Sequence, residues 1–262
     1  MPTSPQQGAL APDIPPEALF GGVYPVDLVE LAIEYAKSGS QFRIPRSRQG
    51  GFWKTVFPSL KVRYAEDNTR DFVKVLEGRL EADYCLIQEF DPEVEAYAVQ
   101  AFKLVDWQNP TLTSFIPDIV KFRRFAPPVI IDCKPESIAN AKIHRQRHDA
   151  IRNGLAEHGV AFEVATDTTI RQQPRLDTYK YLYSHLAHNP TQLNKDTGSV
   201  LAALKELEGA ATVRELRSID NFALRRGIAH GLATGLLRSD FEDDYGPDFF
   251  IELNQTEAPN GC

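Results

Sequence analysis

The sequence of 262 residues predicts an α/β protein in two parts, and three patterns support this prediction. Two runs of β-forming residues, 116–122 and 129–134, flank a polar, proline-rich connection and indicate a hairpin. A strand pattern over 160–165 lies between two helical patterns, and this alternation favours an α/β sheet. From about Thr191 onward helical patterns dominate, which separates the end of the chain from the sheet region.

Composition and charge narrow the classes of function. A hydrophobic fraction of 42% at this length is enough for a good core. The net charge of −7 argues against a protein that coats nucleic acid over its whole surface, whereas a local basic face stays open. Three widely spaced cysteines indicate neither a disulfide framework nor a structural zinc site, so a reducing cytoplasm is expected. Neither a membrane span nor a signal peptide is predicted.

The predicted hairpin carries charged residues where a core strand would have none. Asp132 and Lys134 are two residues apart on the second strand, so both side chains project from the same face. Asp118 lies on the first strand, where hairpin pairing can bring it beside Asp132. Two carboxylates and an ammonium would then share one site. This arrangement suits a hard divalent cation, with the lysine positioning a water or helping to deprotonate it.

Each of these charged residues also has a simpler explanation as a solvated residue on the outer face of a sheet. The apolar run 129–131 argues against that explanation, because it is typical of a strand buried on both faces. An acid and a lysine directly after such a run are costly unless they are used. The combination therefore predicts a site, although each residue alone does not.

Two basic segments flank the hairpin along the chain. Residues 35–65 contain no acid and interleave basic side chains with aromatics and glycines, which predicts contacts with phosphate groups. A polar helix predicted over 136–158 supplies a second basic surface. For both segments a solvated loop or helix face is the alternative. The predicted DNA-contacting residues are Arg43, Arg46, Arg48, Lys54, Lys61, Arg63, Lys142 and Arg145.

The chain is predicted to have three segments: a disordered arm over 1–20, a sheet domain over 21–189 and a C-terminal domain over 190–262. In the last of these, three helical patterns precede two strand patterns, and this order describes a winged-helix module. The helices are predicted near 200–207, 212–216 and 221–234, and the strands at 236–239 and 249–253.

The charges of this C-terminal module favour two different partners. Its third helix offers Arg225, Arg226 and His230 to DNA. The turn between the two strands carries acids that would repel phosphate, so docking on a protein stays open. Those acids are Asp240, Glu242, Asp243, Asp244 and Asp248.

An ordered set of motifs resembles the TnsA family, the restriction-endonuclease-like subunits of heteromeric transposases. The motifs are Gly-Arg-Leu-Glu81, Phe-Asp-Pro-Glu-Val94, Gln100, Pro117-Asp118 and Ile-Asp132-Cys-Lys134-Pro. The segment Phe162-Glu-Val-Ala-Thr-Asp167 and the terminal winged helix are similar to that family too, so the resemblance covers residues from roughly 55 to 255. The resemblance implies a restriction-endonuclease-like mixed-sheet core followed by a C-terminal winged-helix domain.

The resemblance also implies a function, which is cleavage of the 5′-end strand of DNA at transposon ends. By position, Glu81, Asp118 and Asp132 correspond to the acidic, metal-binding residues of the family, and Lys134 corresponds to its catalytic lysine. Some members carry glutamine at the position of Asp132, and the acid here adds a metal-binding charge. The implied cofactor is Mg²⁺, for which Mn²⁺ would substitute.

The partners and the location follow from the same resemblance. The implied partners are double-stranded DNA at the transposon ends, an integrase-like transposase subunit (TnsB) and an ATPase regulator (TnsC). The C-terminal module is implied as the docking site for the two proteins, and the expected location is the bacterial cytoplasm, in association with the nucleoid. No membrane partner is expected.

Two other functions stay open from the sequence. A stand-alone nuclease of the same fold, serving restriction or repair, would use the same four residues with different partners. A catalytically silent DNA-binding or scaffold protein would carry the acids merely along a sheet face. A helix is predicted over 79–90, after Gly78 and before Pro92. Glu81 therefore also has a structural explanation, because a carboxylate is favoured in the first turn of a helix.

Overall fold

A computed structural model describes residues 18–20, 55–59, 61, 73–106, 115–156, 158–186 and 189–254. These residues form an α/β protein, which confirms the predicted class. The strands are β1 (Ala18–Phe20), β2 (Thr55–Pro58), β3 (Val73–Leu76), β4 (Val94–Val99), β5 (Leu104–Asp106), β6 (Ile119–Arg123), β7 (Ala126–Lys134), β8 (Ala161–Thr166), β9 (Ala210–Thr212), β10 (Leu237–Arg238) and β11 (Phe250–Leu253). The helices are α1 (Arg79–Phe90), α2 (Glu136–Ala139), α3 (Lys142–Ala156), α4 (Asp167–Ile170), α5 (Arg175–Tyr183), α6 (Pro190–Glu206) and α7 (Asn221–Ala233).

The chain divides into two compact units, each built from two stretches of sequence. Unit 1 comprises residues 1–78 and 95–165, and unit 2 comprises 79–94 and 166–262. This division differs from the predicted ranges because α1 belongs with the C-terminal part of the chain. The ring of Phe90 at the end of α1 stacks on Tyr179 of α5 at 5.2 Å, and Asp83 pairs with Arg171 at 2.8 Å.

Unit 1 contains a four-stranded sheet in the order β4-β6-β7-β8. Its apolar core includes Val120 and Ile130 from the central strands and Ile151 and Leu155 from α3. Because these residues pack into one cluster, α3 lies along the sheet with one face fixed against it. The predicted single helix over 136–158 is instead two helices, since α2 ends at Ala139 and is followed by Asn140, a residue type that favours turns.

The predicted hairpin is confirmed as β6 and β7, which pair antiparallel. Its second strand begins earlier than predicted, at Ala126, because the ladder accommodates two prolines in a bulge. Lys121 pairs with Val129 and Arg123 pairs with Ala126, so one residue of β6 lies opposite Pro127 and Pro128. Prolines lack a backbone N–H group, and a bulge removes the need for one at these positions.

Unit 2 is built around α6 and α7, with β10-β11-β9 forming a three-stranded antiparallel sheet. The two helices cross closely at Gly227, where an added Cβ would lie 2.6 Å from the carbonyl oxygen of Asp196. The helix predicted over 212–216 is wrong. Thr212 ends β9 and donates from its backbone N–H and its hydroxyl to the Glu215 carboxylate, at 2.7 and 2.8 Å, which stabilises a turn instead.

No helix within the described residues is both long enough and apolar enough to cross a membrane.

Candidate active site

The two aspartates of the hairpin lie next to each other at one end of β6 and β7. Ile119 pairs with Ile131, and the backbone N–H of Asp118 donates to the carbonyl of Ile131 at 3.1 Å. Because Asp118 donates to Ile131, the residue that already pairs with Ile119, it lies at the end of the ladder beside Ile131 and close to Asp132. The sequence prediction that pairing brings these carboxylates together is confirmed.

Lys134 connects the two carboxylates. Its Nζ lies 2.7 Å from Oδ1 of Asp132 and 3.1 Å from Oδ2 of Asp118, and it also donates to the carbonyl of Cys133 at 3.2 Å. Both aspartates are buried, whereas the side chain of Lys134 is 31% exposed. The two carboxylates thus converge on one point that holds positive charge and is partly open to solvent.

Asp118 is further fixed by the backbone of β7. The N–H of Cys133 donates to the same Oδ2 atom of Asp118 at 2.8 Å. A hydrogen bond from the backbone to a buried carboxylate holds the side chain in one orientation. The strand itself therefore positions one of the two acids.

Asp132 is held on its other side by a histidine from α3. The Nε2 atom of His148 lies 3.1 Å from Oδ2 of Asp132, and both side chains are buried. The ring of His148 also packs 5.9 Å from the ring of Phe162 on β8. The two oxygens of Asp132 consequently have different partners, Lys134 on Oδ1 and His148 on Oδ2.

The electrostatics of the cluster favour charged groups. Burial raises the pKa of Asp132, but the hydrogen bond to His148 and the charge of Lys134 outweigh it and lower the pKa from 3.8 to about 2. Burial lowers the pKa of Lys134, but the charges of Asp118 and Asp132 outweigh it and raise the pKa well above its ordinary value. At neutral pH the cluster therefore contains ionised Asp132 and a protonated lysine.

Gln100, predicted as a further site residue, lies beside Asp118. It follows β4 in the left-handed region with φ 46°, and its backbone N–H donates to the carbonyl of Asp118 at 3.0 Å. A non-glycine residue in this region is strained, and such strain persists only where surrounding structure enforces it. The side-chain Oε1 of Gln100 is buried and has no hydrogen-bond partner within the described residues.

Glu81, the third predicted metal ligand, belongs to unit 2. It lies in the first turn of α1 and is buried. The predicted bounds of this helix, 79–90, are confirmed. The structure thus brings Asp118, Asp132 and Lys134 together within unit 1, whereas Glu81 belongs to unit 2.

The predicted DNA-contacting residues have different surroundings. Lys142 and Arg145 are exposed on α3, the helix that also carries His148. Lys61 is only 8% exposed. The accessible basic candidates among the described residues are therefore Lys142 and Arg145. The other predicted residues, Arg43, Arg46, Arg48, Lys54 and Arg63, lie outside the described residues.

The basic residues of α7 are mostly engaged within unit 2. Arg226 pairs with the buried Asp196 at 2.6 Å, and Nδ1 of His230 lies 2.9 Å from the hydroxyl of Thr197. Burial lowers the pKa of His230. The remaining residue, Arg225, lies over the ring of Tyr181 at the wall of an open cavity of about 470 Å³. Two of the three side chains offered to DNA by the sequence are thus engaged with residues of α6.

Sequence reasoning missed the role of His148 and counted it only among the basic residues of a surface helix. One signal could have identified it, because His148, Ile151 and Leu155 recur at helical spacing on the buried face of α3. A histidine within an apolar stripe needs a polar partner when it is buried. Here that partner is Asp132.

The carboxylate oxygens of Asp118 and Asp132 are the ligand type that Mg²⁺ prefers, and their convergence on one cationic group shows that both can face the same positive charge. These two residues therefore fit a divalent cation chemically. Within the part of the chain that is described, no group of three or more histidine, cysteine, aspartate or glutamate side chains stands ready to hold a metal ion.

Comparison of the sequence with models of known protein families and with curated proteins finds no match.

Proposed function

We propose that this protein is a metal-dependent DNA endonuclease that cleaves the 5′-end strand at transposon ends as one subunit of a multi-subunit transposase. The observation that supports this proposal most is the convergence of Asp118 and Asp132 on the ammonium of Lys134. Two acids and a lysine at one end of the central strands β6 and β7 form the set that a restriction-type nuclease needs for phosphodiester hydrolysis. The order of motifs in the sequence supports the transposase assignment.

The residues of the chain divide the work of this reaction. Asp118 and Asp132 would hold Mg²⁺, or Mn²⁺ in its place. When bound, the metal supplies a water of lowered pKa and neutralises charge on the phosphate. The raised pKa keeps Lys134 protonated, so this residue donates hydrogen bonds to the phosphate or to the water and does not act as a base. Glu81 corresponds to a further acidic residue of the TnsA family by its position in the sequence.

The finer fold is part of the proposal. A four-stranded sheet with α3 against it and an acidic pair at one strand end supports a restriction-endonuclease-like core in unit 1. In unit 2, α6 and α7 together with the three strands β9, β10 and β11 support a winged-helix module. The turn between β10 and β11 is the proposed wing.

Charge favours a protein partner for the proposed wing. Five acids in this segment are exposed, and two of the three basic residues of α7 are engaged with α6. Exposed acids repel phosphate and attract basic protein surfaces. We therefore assign docking on the integrase-like subunit or the ATPase regulator to this module, and we assign DNA contact to α3 of unit 1.

The test is Mg²⁺-dependent nicking of transposon-end DNA, with the purified partner subunits present because catalysis can depend on them. Asp118→Ala and Asp132→Ala are each expected to abolish nicking, since each removes a ligand. Asp149→Ala is the matched control, because Asp149 is an exposed acid on α3 that pairs with Arg152. Full nicking by both variants of the hairpin would refute the assignment.

A catalytically silent DNA-binding or scaffold protein is a second candidate, favoured by the lack of a ready three-ligand group within the described residues. Titration calorimetry with Mn²⁺ separates the two functions. The nuclease predicts a binding signal that disappears in Asp118→Ala, whereas acids that merely line a sheet face bind no metal tightly. A stand-alone nuclease would nick DNA without either partner subunit.

A further inference from the structure

The turn between β6 and β7 presents a phenylalanine to solvent. Phe125 is 94% exposed, compared with 74% for Ile143, the next most exposed of the large apolar side chains described. Phe122, three residues earlier in the sequence, is buried in the core of unit 1. The hairpin therefore has one aromatic ring anchored in the sheet and one projecting freely from its tip.

The charged residues between Asp118 and Asp132 in the sequence are all basic. No acid occurs between Asp118 and Asp132, whereas Lys121, Arg123 and Arg124 precede the ring directly. Neither Lys121 nor Arg123 has an ion-pair partner among the described residues, and Nε of Arg123 is buried without a hydrogen-bond partner there. Partly exposed guanidinium and ammonium groups without an ion-pair partner among the described residues are suited to bind an anionic partner.

The tip is also held rigidly. Two prolines follow Ala126, the first residue of β7, and the bulge that they form fixes how the strands pair. Proline restricts φ, so little conformational freedom remains to be lost when the tip contacts a partner. The exposed ring is therefore presented by an ordered element.

We propose that this hairpin tip contacts double-stranded DNA, with Phe125 packing against a base step and Lys121 and Arg123 binding the adjacent phosphates. This inference rests on the proposed function. Single exposed apolar residues are common on protein surfaces and need no partner. An exposed ring beside unpaired guanidinium and ammonium groups is different, because it matches stacked bases flanked by phosphates.

The hairpin also sets where on the DNA this contact falls. The nine residues of β7 run from Ala126 at the tip to Lys134 at the candidate active site. At about 3.3 Å per residue this strand spans roughly 26 Å. A duplex rises about 3.4 Å per base pair, so a hairpin lying along the duplex contacts it roughly 8 base pairs from the cleaved bond.

The test uses the full-length protein and end-sequence duplexes that carry 2-aminopurine at successive positions, without divalent metal so that no strand is cut. Wild-type protein is expected to increase the fluorescence of the probe at one short run of positions, because a wedged base step loses stacking. Phe125→Ala is expected to abolish this increase and to weaken DNA binding about tenfold. Phe125→Trp is expected to retain both, because the larger ring can still insert.

Two further variants keep the test specific. Phe250→Ala removes an exposed phenylalanine from β11 of unit 2 and is expected to change neither the fluorescence nor the affinity. Arg123→Ala is expected to lower the salt dependence of DNA binding by about one released ion. Because Phe125 projects into solvent, its replacement leaves the fold intact, which a thermal melt checks.

Unchanged fluorescence and affinity in Phe125→Ala would overturn the inference. Loss of binding to a partner subunit with unchanged DNA binding would overturn it equally, since the tip would then be a protein contact. The assay needs neither metal nor strand cleavage. Failure of the proposed nuclease chemistry would therefore leave the fluorescence signal in place, and failure of the hairpin contact would leave nicking chemistry intact.

Discussion

Each unit contains a buried aspartate that forms an ion pair with a basic side chain, and the surroundings of the two aspartates differ. In unit 1, Asp132 contacts Lys134 at 2.7 Å and His148 at 3.1 Å. In unit 2, Asp196 contacts Arg226 at 2.6 Å and the side-chain amide of Gln192 at 2.7 Å. Burial, a cation and a second hydrogen-bond donor are thus common to both clusters.

The difference lies in the number of carboxylates and in exposure. Lys134 is shared by two acids and is 31% exposed, whereas Arg226 pairs with one acid and is 18% exposed. Asp196 lies where α6 and α7 approach so closely that only glycine fits at position 227. The unit 2 cluster therefore joins two helices. In the unit 1 cluster two carboxylates face the single ammonium group of Lys134, which is partly exposed to solvent. A buried ion pair indicates a site only when a second carboxylate is present.

The largest expected effect is on DNA cleavage, and it distinguishes Lys134 from Arg226. Lys134→Met removes a donor to the developing negative charge, and nicking of transposon-end DNA is expected to fall about 10²- to 10³-fold. Arg226→Met is expected to leave the nicking rate per folded molecule unchanged. Equal losses of nicking activity in both variants, measured at low temperature on folded protein, would contradict the proposed difference between Lys134 and Arg226.

The next effect concerns the free energy of unfolding, for which the unit 2 ion pair is expected to matter more than it does for DNA cleavage. Arg226→Met leaves Asp196 buried without its cation, which is expected to cost about 3 kcal/mol of unfolding free energy. The control is Arg214→Met, because Arg214 pairs with Asp248 on an exposed surface and such pairs contribute less than about 1 kcal/mol. Urea unfolding measures both. If Arg226→Met lowers the unfolding free energy by less than about 1 kcal/mol, the ion pair between α6 and α7 is not needed for stability.

A pH dependence is expected from Asp132. Its folded-state pKa of about 2 is below the ordinary value of 3.8, so its contribution to stability is present above about pH 4 and is lost as the pH falls toward 2. The loss is about 2 kcal/mol. Urea unfolding of metal-free protein at pH 4.5 and pH 2.5 tests this, and Asp132→Asn is expected to show a smaller difference. An unchanged difference in that variant would assign the dependence to other acids.

The smallest expected effect concerns His148. His148→Leu leaves Oδ2 of Asp132 without its donor, so Mn²⁺ affinity measured by calorimetry is expected to fall about tenfold. His148→Gln retains a donor and is expected to restore most of the affinity, which a purely apolar role would not predict. His144→Leu is the control, because its ring lies one helical turn away, at 6.2 Å from that of His148. A similar loss in His144→Leu would deny His148 a specific role.

Much of the candidate site follows from local rules. Alternation of side chains along a strand puts Asp132 and Lys134 on one face, and hairpin pairing puts Asp118 beside them. These rules act over a few residues, so the sequence alone was sufficient. The bounds of α1 were predicted for the same reason, with Gly78 before the helix and Pro92 after it.

What the sequence could not predict depends on tertiary packing. His148 contacts Asp132 because α3 packs its apolar face on the sheet, and the depth of that packing is not encoded in the helical period alone. Arg226 was predicted for DNA, but the close crossing of α6 and α7 brings it to Asp196. The helix predicted over 212–216 is a turn in the structure, and Thr212 belongs to β9, where it pairs with Phe250 of β11.

The placement of α1 in unit 2 has a consequence for biosynthesis. Residues 79–94 leave the ribosome well before residues 166–262, which complete their unit. During that interval Phe90 lacks Tyr179 and Phe241, the rings against which it packs. Unit 2 therefore finishes folding after the chain of unit 1 has been synthesised. A truncated protein that begins at residue 166 would lack this helix and would expose the aromatic cluster that Phe90 covers.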